Sequence, residues 1–299
     1  MQINQALKFA IKDKKLSNLD AEVLLCFVIK KDKAFIYSHP EFELNKTQEN
    51  KFKKFIARRI QGEPVAYVTE HKEFYGLDFL VNKNVLIPRP ETEILVEESL
   101  TRLRSLKTLC RSLLRQGYGG QAGGQAFVLE IGTGSGCIII SIIKRIMNYE
   151  LGIKGFATDI SGRALLVAKR NAKLHKVNNK IKFIKSDLLK NISDSLFVIH
   201  NSILVANLPY LPEKYKKQVD KDLFFEPQKA LYAGKDGLFF INKLLKQISQ
   251  LKNKPKYILL EIGHEQDKEI KKIVKNILPE YKIKIKKDLS GLNRVLILL

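Results

Sequence analysis

The segment EIGTGSG, residues 130–136, constrains the fold of this 299-residue chain more than any other feature. It follows the apolar run FVLEI and precedes CIIISIIKRI, so it joins a predicted strand to a predicted helix. Glycines at such a turn let the backbone approach a bound molecule, and the helix N-terminus favours a carboxylate or a phosphate. A dinucleotide fingerprint starting at Gly132 would need glycine where this chain has Cys137. The GxGxG spacing therefore favours S-adenosylmethionine over NAD, with a plain glycine-rich turn as the alternative.

Strand and helix patterns alternate from Phe127 to the end of the chain. The strand-like runs are FVLEI, IKGFATD, KIKFIKSD, SILVAN, KYILLEIG, KIKIKKD and RVLILL. Helical runs separate most of them, which is typical of a doubly wound parallel α/β sheet. Only a short turn around Ser290 and Gly291 separates the last two runs, so they are predicted to pair antiparallel.

Residues 1–73 are predicted to form a small all-α domain. LDAEVLLCFVIKK and KTQENKFKKFIARRIQG both repeat apolar residues at the helical spacing. Ser17 or Asn18 is the predicted N-cap of the first helix, and Thr47 that of the second. The predicted apolar face of the first helix consists of Leu19, Val23, Leu24, Phe27 and Val28.

The segment that follows is predicted to be a β-hairpin linker over residues 74–92. The pattern of FYGLDFLVNKNVLIPRPE alternates around residues 81–85, and Pro88 and Pro90 end it. Residues 93–299 then form the second predicted domain.

The charge balance restricts the partners of the chain. It has 53 Lys and Arg against 31 Asp and Glu, a formal net charge of +22. Such a charge suits a polyanionic or an acidic protein partner. Most of the lysines lie singly on amphipathic stretches, however, so direct nucleic-acid binding is not expected.

Cysteine and histidine give no sign of a metal site. Cys26, Cys110 and Cys137 are widely spaced without a CxxC pair, and the five His follow no ligand spacing. No apolar run approaches the ~20 residues of a membrane span, and MQINQALKF does not resemble a signal peptide. A cytoplasmic protein with reduced thiols and no membrane contact is therefore predicted.

Two aspartates end the second and third predicted strands. Asp159 lies about 20 residues beyond the glycines, where a carboxylate can accept both ribose hydroxyls of a cofactor. Its alternative role is an N-cap for the helix after Ser161. Asp187 ends the third strand, where such proteins usually hold adenine, and its alternative role is that of a turn residue.

Residues 207–210, Asn-Leu-Pro-Tyr, close the fourth predicted strand and carry the most specific chemistry. They belong to the N/D-P-P-Y/F type that methylates planar nitrogen, whose delocalised lone pair makes it a poor nucleophile. Catalysis then needs acceptors for the N–H groups, which the Asn207 side-chain oxygen and the Leu208 carbonyl supply. Tyr210 would pack against the planar group and hold it in line with a sulfonium methyl. An ordinary strand-end turn is the alternative for the bare tetrapeptide.

With these motifs the chain resembles the peptide chain release factor N5-glutamine methyltransferases, class I S-adenosylmethionine-dependent protein methyltransferases. The family order runs LDAEVLL, ARRIQGEPVAYV, EFYGLDFLVNKNVLIPRPETEILVE, EIGTGSG, NLPY, FEPQKAL and DLSGLNRV, over nearly the whole chain. The resemblance implies a seven-stranded Rossmann-like sheet with an antiparallel last strand, behind a helical domain that docks the substrate protein. It implies methyl transfer to the glutamine side-chain amide in the Gly-Gly-Gln motif of class I release factors, in support of translation termination. A monomer is expected.

The resemblance also assigns site residues by position. Those implied to hold the cofactor are Gly132, Thr133, Gly134, Ser135, Gly136, Asp159, Asp187, Leu188 and Asn207. Those implied to hold the target amide and to carry catalysis are Asn207, Leu208, Pro209 and Tyr210. Those implied to form the substrate pocket wall are Pro88, Arg89, Glu91, Thr92, Phe225, Glu226 and Pro227. Rigid turns and a buried ion pair are the alternatives for the pocket-wall set.

The chain departs from the family pattern at two positions. The family usually has proline where Leu208 stands, but the acceptor required there is a backbone carbonyl, which leucine also provides. An aromatic residue often follows the aspartate of the third strand, where this chain has Leu188, so stacking on adenine is expected to be weaker.

Two other classes of function stay open at this point. Ribosomal RNA adenine dimethyltransferases carry the same NLPY tetrapeptide, and DNA adenine methyltransferases carry a close variant. The net charge suits them, but the helical domain in front and the IPRPETE and FEPQKAL segments do not. A non-catalytic binding protein on a methyltransferase fold is the third possibility, which the intact glycines, Asp159 and Asn207 disfavour.

Residues 109–126 contain two Gly-Gly-Gln triplets, the same tripeptide that the family modifies. This coincidence suggests self-methylation or a built-in pseudosubstrate. The stretch precedes the first strand of the sheet, however, at the opposite edge from the expected cofactor site. Its composition instead predicts a flexible low-complexity insert.

Overall fold

The computed structural model describes residues 1–12, 16–115, 126–147, 153–192, 202–217 and 221–299. The chain divides into two compact units. The helical unit comprises Met1–His71, Val81–Lys83 and Asp220–Phe225, and the sheet unit comprises Lys72–Leu80, Asn84–Val219 and Glu226–Leu299.

Five α-helices lie in the described part of the helical unit. They are α1 (Ile3–Ile11), α2 (Asn18–Ile29), α3 (Lys33–Ser38), α4 (Lys46–Ile60) and α5 (Val65–Thr69). Phe52 lies at the centre of their core with no exposed surface. The predicted face of α2 is wrong in part, because Leu19 and Val23 are exposed whereas Ala21 and Leu25 are buried. Apolar residues lie on nearly every side of α2, so periodicity alone could not select its buried face.

Polar side chains set the starts of two of these helices. The Ser17 hydroxyl accepts from the Asp20 N–H at 3.1 Å, which confirms one of the two caps predicted for α2. The predicted cap Thr47 is wrong for α4. There the Asn45 side chain accepts from the Gln48 N–H, and the Gln48 side chain accepts from the Asn45 N–H, both at 2.9 Å. This reciprocal pair satisfies two N–H groups at once, so the helix begins directly after Asn45.

Arg59 ties a distant stretch of chain into the helical unit. Its Nε donates to Oδ2 of Asp20 in α2 at 2.9 Å, and its Nη1 donates to Oδ1 of Asp222 at 2.8 Å. Asp222 lies in the stretch Asp220–Phe225, so one guanidinium links that stretch to α2 and α4.

A β-hairpin follows α5, as predicted, but earlier in the chain. Its strands are β1 (His71–Phe74) and β2 (Leu77–Leu80). The turn residues Tyr75 and Gly76 have φ of 54° and 72°, as a two-residue hairpin turn of the primed type requires. Residues 81–85 are not a strand, which corrects the predicted position. Their alternation reflects the burial of Val81 and Val85 rather than strand pairing.

The sheet unit alternates strands and helices as predicted. Its elements are α6 (Glu93–Arg115), β3 (Phe127–Ile131), α7 (Cys137–Ile146), β4 (Lys154–Asp159), α8 (Gly162–Leu174), β5 (Ile181–Lys185), β6 (Ser202–Ala206), α9 (Phe239–Ser249), β7 (Tyr257–Glu261), α10 (Asp267–Ile277), β8 (Ile283–Lys287) and β9 (Asn293–Leu298). The seven strands lie in the order β5-β4-β3-β6-β7-β9-β8. Strands β3 to β7 pair in parallel, and β9 is antiparallel to both β7 and β8. The seven-stranded sheet with its antiparallel last strand is thus confirmed.

Alternate residues of the strands enter cores on opposite faces of the sheet. In β3, Val128 packs in a cluster with Ile139 of α7, whereas Leu129 packs in a cluster with Ile241 of α9 and Ile270 of α10. Both faces are covered by helices, which explains why central strands such as β6 are continuous apolar runs, whereas the outer strands β5 and β8 alternate with lysine.

The strand order reverses between β3 and β6. From β3 the chain proceeds outward to β4 and β5, and it then returns to the other side of β3 as β6. Such a reversal leaves a crevice beyond the carboxyl ends of the two strands, where open α/β sheets bind ligands.

The predicted insert, residues 109–126, overlaps α6, which continues to Arg115. Residues 116–125, with both Gly-Gly-Gln triplets, lie outside the described residues. Among the described helices, none combines the length and the apolar character needed to cross a membrane.

Candidate active site

The glycine turn after β3 passes close to the ends of neighbouring elements. Gly132 has φ of 71°, and a Cβ there would lie 3.1 Å from Cδ2 of Leu208. Gly136 has φ of 82°, and a Cβ there would lie 2.9 Å from Cδ1 of Ile140 and 3.2 Å from Cβ of Ala168. Both positions need glycine for the left-handed backbone and for the close approach. The turn therefore lies against the end of β6 on one side and helix α8 on the other.

A cavity of about 600 Å³ lies at the carboxyl ends of β3 to β6. Among its lining residues are most of the predicted site residues: Pro88, Arg89, Thr92, Gly132, Thr133, Gly134, Ser135, Asp159, Asp187, Leu188, Asn207, Leu208, Pro209 and Pro227. The predicted residues outside its lining are Glu91, Gly136, Tyr210, Phe225 and Glu226. Phe225 belongs to the helical unit, whereas the lining residues all belong to the sheet unit.

Asp159 links the end of β4 to the glycine turn. Its Oδ2 accepts from the Gly134 N–H at 2.9 Å, and its Oδ1 accepts from the Ser161 N–H at 2.8 Å. Burial raises the pKa of Asp159, and these two N–H groups act against that rise. The N-cap of α8 is Ser161, whose hydroxyl accepts from the Ala164 N–H, so the alternative role of Asp159 as that cap is wrong.

The end of β5 carries an ion pair and an uncommon backbone turn. Lys243 Nζ contacts the two carboxylate oxygens of Asp187 at 2.8 and 2.7 Å and lowers the pKa of that carboxyl. Leu188 is buried with φ of 55°, a left-handed conformation that is rare for a bulky residue. The next residue, Leu189, donates its N–H to Oε1 of Gln247 at 2.9 Å, which holds the turn at the cavity wall.

Asn207 follows β6 with its side-chain nitrogen already engaged. Nδ2 donates to Oγ1 of Thr92 at 3.0 Å. Thr92 is buried at the end of the 3₁₀ turn Pro90–Thr92, directly before α6. The side-chain oxygen of Asn207 therefore remains as the acceptor of this amide.

Tyr210 is held from outside the cavity. Its hydroxyl donates to Oε1 of Glu261 at 3.1 Å, and its carbonyl accepts from Nε2 of Gln266 at 3.0 Å. Gly237 has φ of 78°, and a Cβ there would lie only 2.1 Å from the Tyr210 carbonyl oxygen. Contacts with Glu261, Gln266 and Gly237 therefore fix the end of the Asn-Leu-Pro-Tyr segment.

A buried carboxylate supports the cavity wall before α6. Glu226 is 3% exposed, and its Oε2 accepts from the Ile87 N–H at 2.9 Å. Its Oε1 forms an ion pair with Arg89, which lines the cavity. The ion pair expected as an alternative for this set is present, and it gives the wall a fixed shape.

Several groups at the site were missed by sequence reasoning. Glu130 and Glu261 interrupt the apolar runs of β3 and β7, and a carboxylate at the end of a buried strand was an available signal. Burial raises the pKa of Glu130 to about 8, although the hydrogen bond that the Thr133 hydroxyl donates to this carboxylate lowers it. Gln266 and Gly237 carried no comparable signal, because their contacts arise only when distant loops meet.

Two family models match different parts of the chain. The family model described as PrmC N-terminal domain matches residues 4–69, and that described as Ribosomal protein L11 methyltransferase (PrmA) matches residues 108–225. The release factor glutamine methyltransferase of Koribacter versatilis is 35% identical over 99% of this chain and 98% of its own length. The chain belongs to the release factor glutamine methyltransferase family.

Other relatives agree with this assignment. The release factor glutamine methyltransferase of Coxiella burnetii is 33% identical to this chain, over 95% of this chain and 92% of its own length. The bifunctional methyltransferase of Rickettsia bellii is 34% identical over 93% of the chain, which spans only 50% of that relative.

Solved structures place the fold of this family member among methyltransferases. The hMettl16 catalytic domain in complex with MAT2A 3′UTR hairpin 6 has a TM-score of 0.55 at 15% identity, with 89% of this chain and 91% of that chain covered. At this identity the likeness concerns the fold alone. Within the described residues, no group of three or more His, Cys, Asp or Glu side chains is placed to hold a metal ion.

Proposed function

We propose that this family member transfers the methyl group of S-adenosylmethionine to the glutamine side-chain amide in the Gly-Gly-Gln motif of class I peptide chain release factors. One observation carries the proposal. The Asn207 amide, with Nδ2 committed to Thr92, lies in the same cavity as the glycine turn and the Asp159 carboxylate. The groups proposed to accept the target amide and to bind the cofactor thus line one cavity. The relatives from Koribacter versatilis and Coxiella burnetii are release factor glutamine methyltransferases, which supports the choice of substrate.

The cofactor end of the cavity has the chemistry that S-adenosylmethionine requires. A volume of about 600 Å³ lies in the range of small-molecule sites. We propose that Asp159 accepts the ribose hydroxyls and that the apolar side chains of Ile160 and Leu188 contact the adenine, all three of which line the cavity. Backbone N–H groups of Gly132–Gly136 would hold the carboxylate of the cofactor. When bound, this cofactor supplies an electrophilic methyl group on a sulfonium centre.

The other end offers what a planar nitrogen requires. An amide nitrogen is a weak nucleophile because its lone pair is delocalised. Oδ1 of Asn207 and the carbonyl of Leu208 are proposed to accept the two N–H groups of the target amide, which fixes the nitrogen and stabilises the positive charge that develops on it. The amide proton then leaves to solvent after the new bond has formed, so the chain needs no strong general base.

The helical unit is proposed to dock the release factor. Its match to the PrmC N-terminal domain over residues 4–69 supports this assignment. We propose further that the protein acts in the cytoplasm as a monomer. A solution mass well above 34.3 kDa in light scattering would contradict the monomer.

Methyl transfer to a release factor tests the function directly. Labelled methyl is expected to enter the purified release factor and not its Gln→Ala variant in the Gly-Gly-Gln motif. Asn207→Ala is expected to lose at least ~100-fold in rate, the scale for losing one preorganised polar group at a reacting centre. Transfer to ribosomal RNA with no transfer to the release factor would instead support the adenine methyltransferase alternative.

A further inference from the structure

Thr92 and Glu261 both lie near the Asn207 amide: Thr92 Oγ1 accepts from its Nδ2, and Glu261 follows Leu260, the β7 partner of Ala206 directly before Asn207. We propose that they form a positioning pair, in which the Thr92 hydroxyl donates to Glu261 and accepts from Nδ2 of Asn207, so that Oδ1 faces the target amide. This inference rests on the proposed function and identifies what fixes the acceptor that the function needs.

The orientation of the Asn207 amide decides whether it attracts or repels the target. A rotation of 180° exchanges the oxygen, an acceptor, for the NH₂ group, a donor, with almost no change in shape. A glutamine amide nitrogen presents N–H groups to whatever holds it. If Asn207 were rotated, its NH₂ group would face the N–H groups of the target glutamine, and no hydrogen bond could form. The site therefore works in only one of the two orientations.

Thr92 by itself leaves both orientations open. Its Oγ1 lies 3.0 Å from Nδ2 of Asn207, but a hydroxyl both donates and accepts. With the amide rotated, the same hydroxyl could donate to the oxygen of Asn207 instead. Another group must therefore determine where the hydroxyl proton lies.

Glu261 is that group. It is 1% exposed, and its Oε1 accepts from the Tyr210 hydroxyl. Its Oε2 has no hydrogen-bond partner within the part of the chain that the structure describes, so the carboxyl has acceptor capacity to spare. An ionised carboxylate can only accept.

The surroundings of Glu261 both raise and lower its pKa. Burial raises the pKa of Glu261 to about 7, whereas the neighbouring Thr92 and Tyr210 hydroxyls lower it. Arg294 also lowers it, whereas Glu91 raises it. Above neutral pH the ionised carboxylate draws the Thr92 proton, which leaves the hydroxyl oxygen as an acceptor for Asn207.

A matched pair of substitutions tests the positioning role at pH 8. Thr92→Val keeps the shape and removes the hydroxyl, whereas Thr92→Ser keeps the hydroxyl. We expect Thr92→Val to lower kcat for a release factor by about tenfold or more, with KM and the cofactor dissociation constant within about twofold of wild type. Thr92→Ser should remain within about threefold, and Glu261→Gln should lower kcat like Thr92→Val.

Three results would overturn the proposal. These are wild-type kcat in Thr92→Val, an equal loss in Thr92→Ser, and a loss confined to cofactor binding. If Thr92→Val does not fold, wild-type kcat in Glu261→Gln would overturn it equally.

A second readout does not depend on methyl transfer. In the full chain labelled with ¹⁵N-asparagine, the Asn207 side-chain protons, assigned with Asn207→Ala, should exchange slowly with solvent. This protection should persist in Thr92→Ser and be lost in Thr92→Val and Glu261→Gln. Inactivity of the wild-type chain would refute the proposed function, whereas unchanged protection in both of the latter variants would refute the positioning pair.

Discussion

Gly237 and Gly291 share one backbone conformation in different surroundings. Each has φ of 78°. A Cβ on Gly291 would meet nothing within 4 Å, whereas one on Gly237 would lie 2.1 Å from the Tyr210 carbonyl oxygen. The strain of a left-handed backbone is therefore common to both, and the contact with the end of the Asn-Leu-Pro-Tyr segment belongs to Gly237.

Alanine at these two glycines should separate strain from contact. We expect Gly291→Ala to lower the free energy of unfolding by about 1 kcal/mol, the cost of the left-handed backbone. Gly237→Ala should lower it by at least about 2 kcal/mol, because the added methyl overlaps a carbonyl. It should also slow methyl transfer, since Tyr210 and with it Asn207 must move. Urea unfolding and a transfer assay measure the two effects, and equal losses in both variants would contradict the close approach.

The two strand-end aspartates should differ in their importance for the cofactor. Asp159 lies at the glycine turn, whereas the carboxylate of Asp187 is paired with Lys243. We expect Asp159→Asn to weaken S-adenosylmethionine binding by about tenfold or more, the effect of losing charge-assisted hydrogen bonds. Asp187→Asn should change it by less than about threefold. Calorimetric titration measures both, and the reverse ranking would refute the ribose role of Asp159.

At the scale of single elements, the start of α4 depends on one reciprocal pair. Asn45 and Gln48 cap each other, whereas Thr47 lies inside the first turn. We expect Asn45→Ala to lower the free energy of unfolding by about 1 kcal/mol and Thr47→Ala to change it by less than about 0.5 kcal/mol. Thermal unfolding followed by circular dichroism compares the two, and a larger effect at Thr47 would restore the cap predicted from the sequence.

Element type was predictable and element position less so. Apolar residues between turn signals marked each strand of the sheet, as a continuous run in the buried strand β6 and as alternation with lysine in β5 and β8. The hairpin was misplaced because the alternation of Val81 and Val85 results from packing in the interior and not from pairing. The face of α2 was misjudged because apolar residues surround that helix. Both errors arise because tertiary packing decides these features, and local sequence patterns carry no information about it.

At the scale of the whole molecule, parallel topology explains why much of the site was predictable. Carboxyl ends of neighbouring parallel strands meet at one edge, so Gly132, Asp159 and Asn207 could be brought together from the sequence alone. The contacts that hold these residues in place could not be predicted from the sequence. Tyr210 meets Glu261 and Gln266 only because β6 lies beside β7 in the folded sheet.

Two buried carboxyls should make the stability of the fold depend on pH. Burial raises the pKa of Glu130 to about 8 and that of Glu261 to about 7, above the ordinary value of 4.5. Between the ordinary value and these raised values, the two carboxyls bind more protons in the folded chain than in the unfolded chain. The stabilisation that these two carboxyls contribute should therefore be complete below the ordinary value and be lost as the pH rises toward about 8.

Glu130→Gln isolates one of these groups. The variant cannot ionise at this position, so its free energy of unfolding should decline less than that of wild type between about pH 5.5 and about pH 8.5. Urea unfolding at several pH values measures the difference. An equal or steeper decline in the variant would show that Glu130 titrates normally in the folded chain.

The helical unit is assembled from three separate stretches of chain. Arg59 in the first stretch donates a hydrogen bond to Asp222 in the third. A fragment cut after His71 would leave this guanidinium without one of its two carboxylate partners. An exchange of the helical unit between relatives must then transplant Val81–Lys83 and Asp220–Phe225 along with the amino-terminal helices. Chimeras joined at a single crossover are therefore expected to be less stable than chimeras that carry all three pieces.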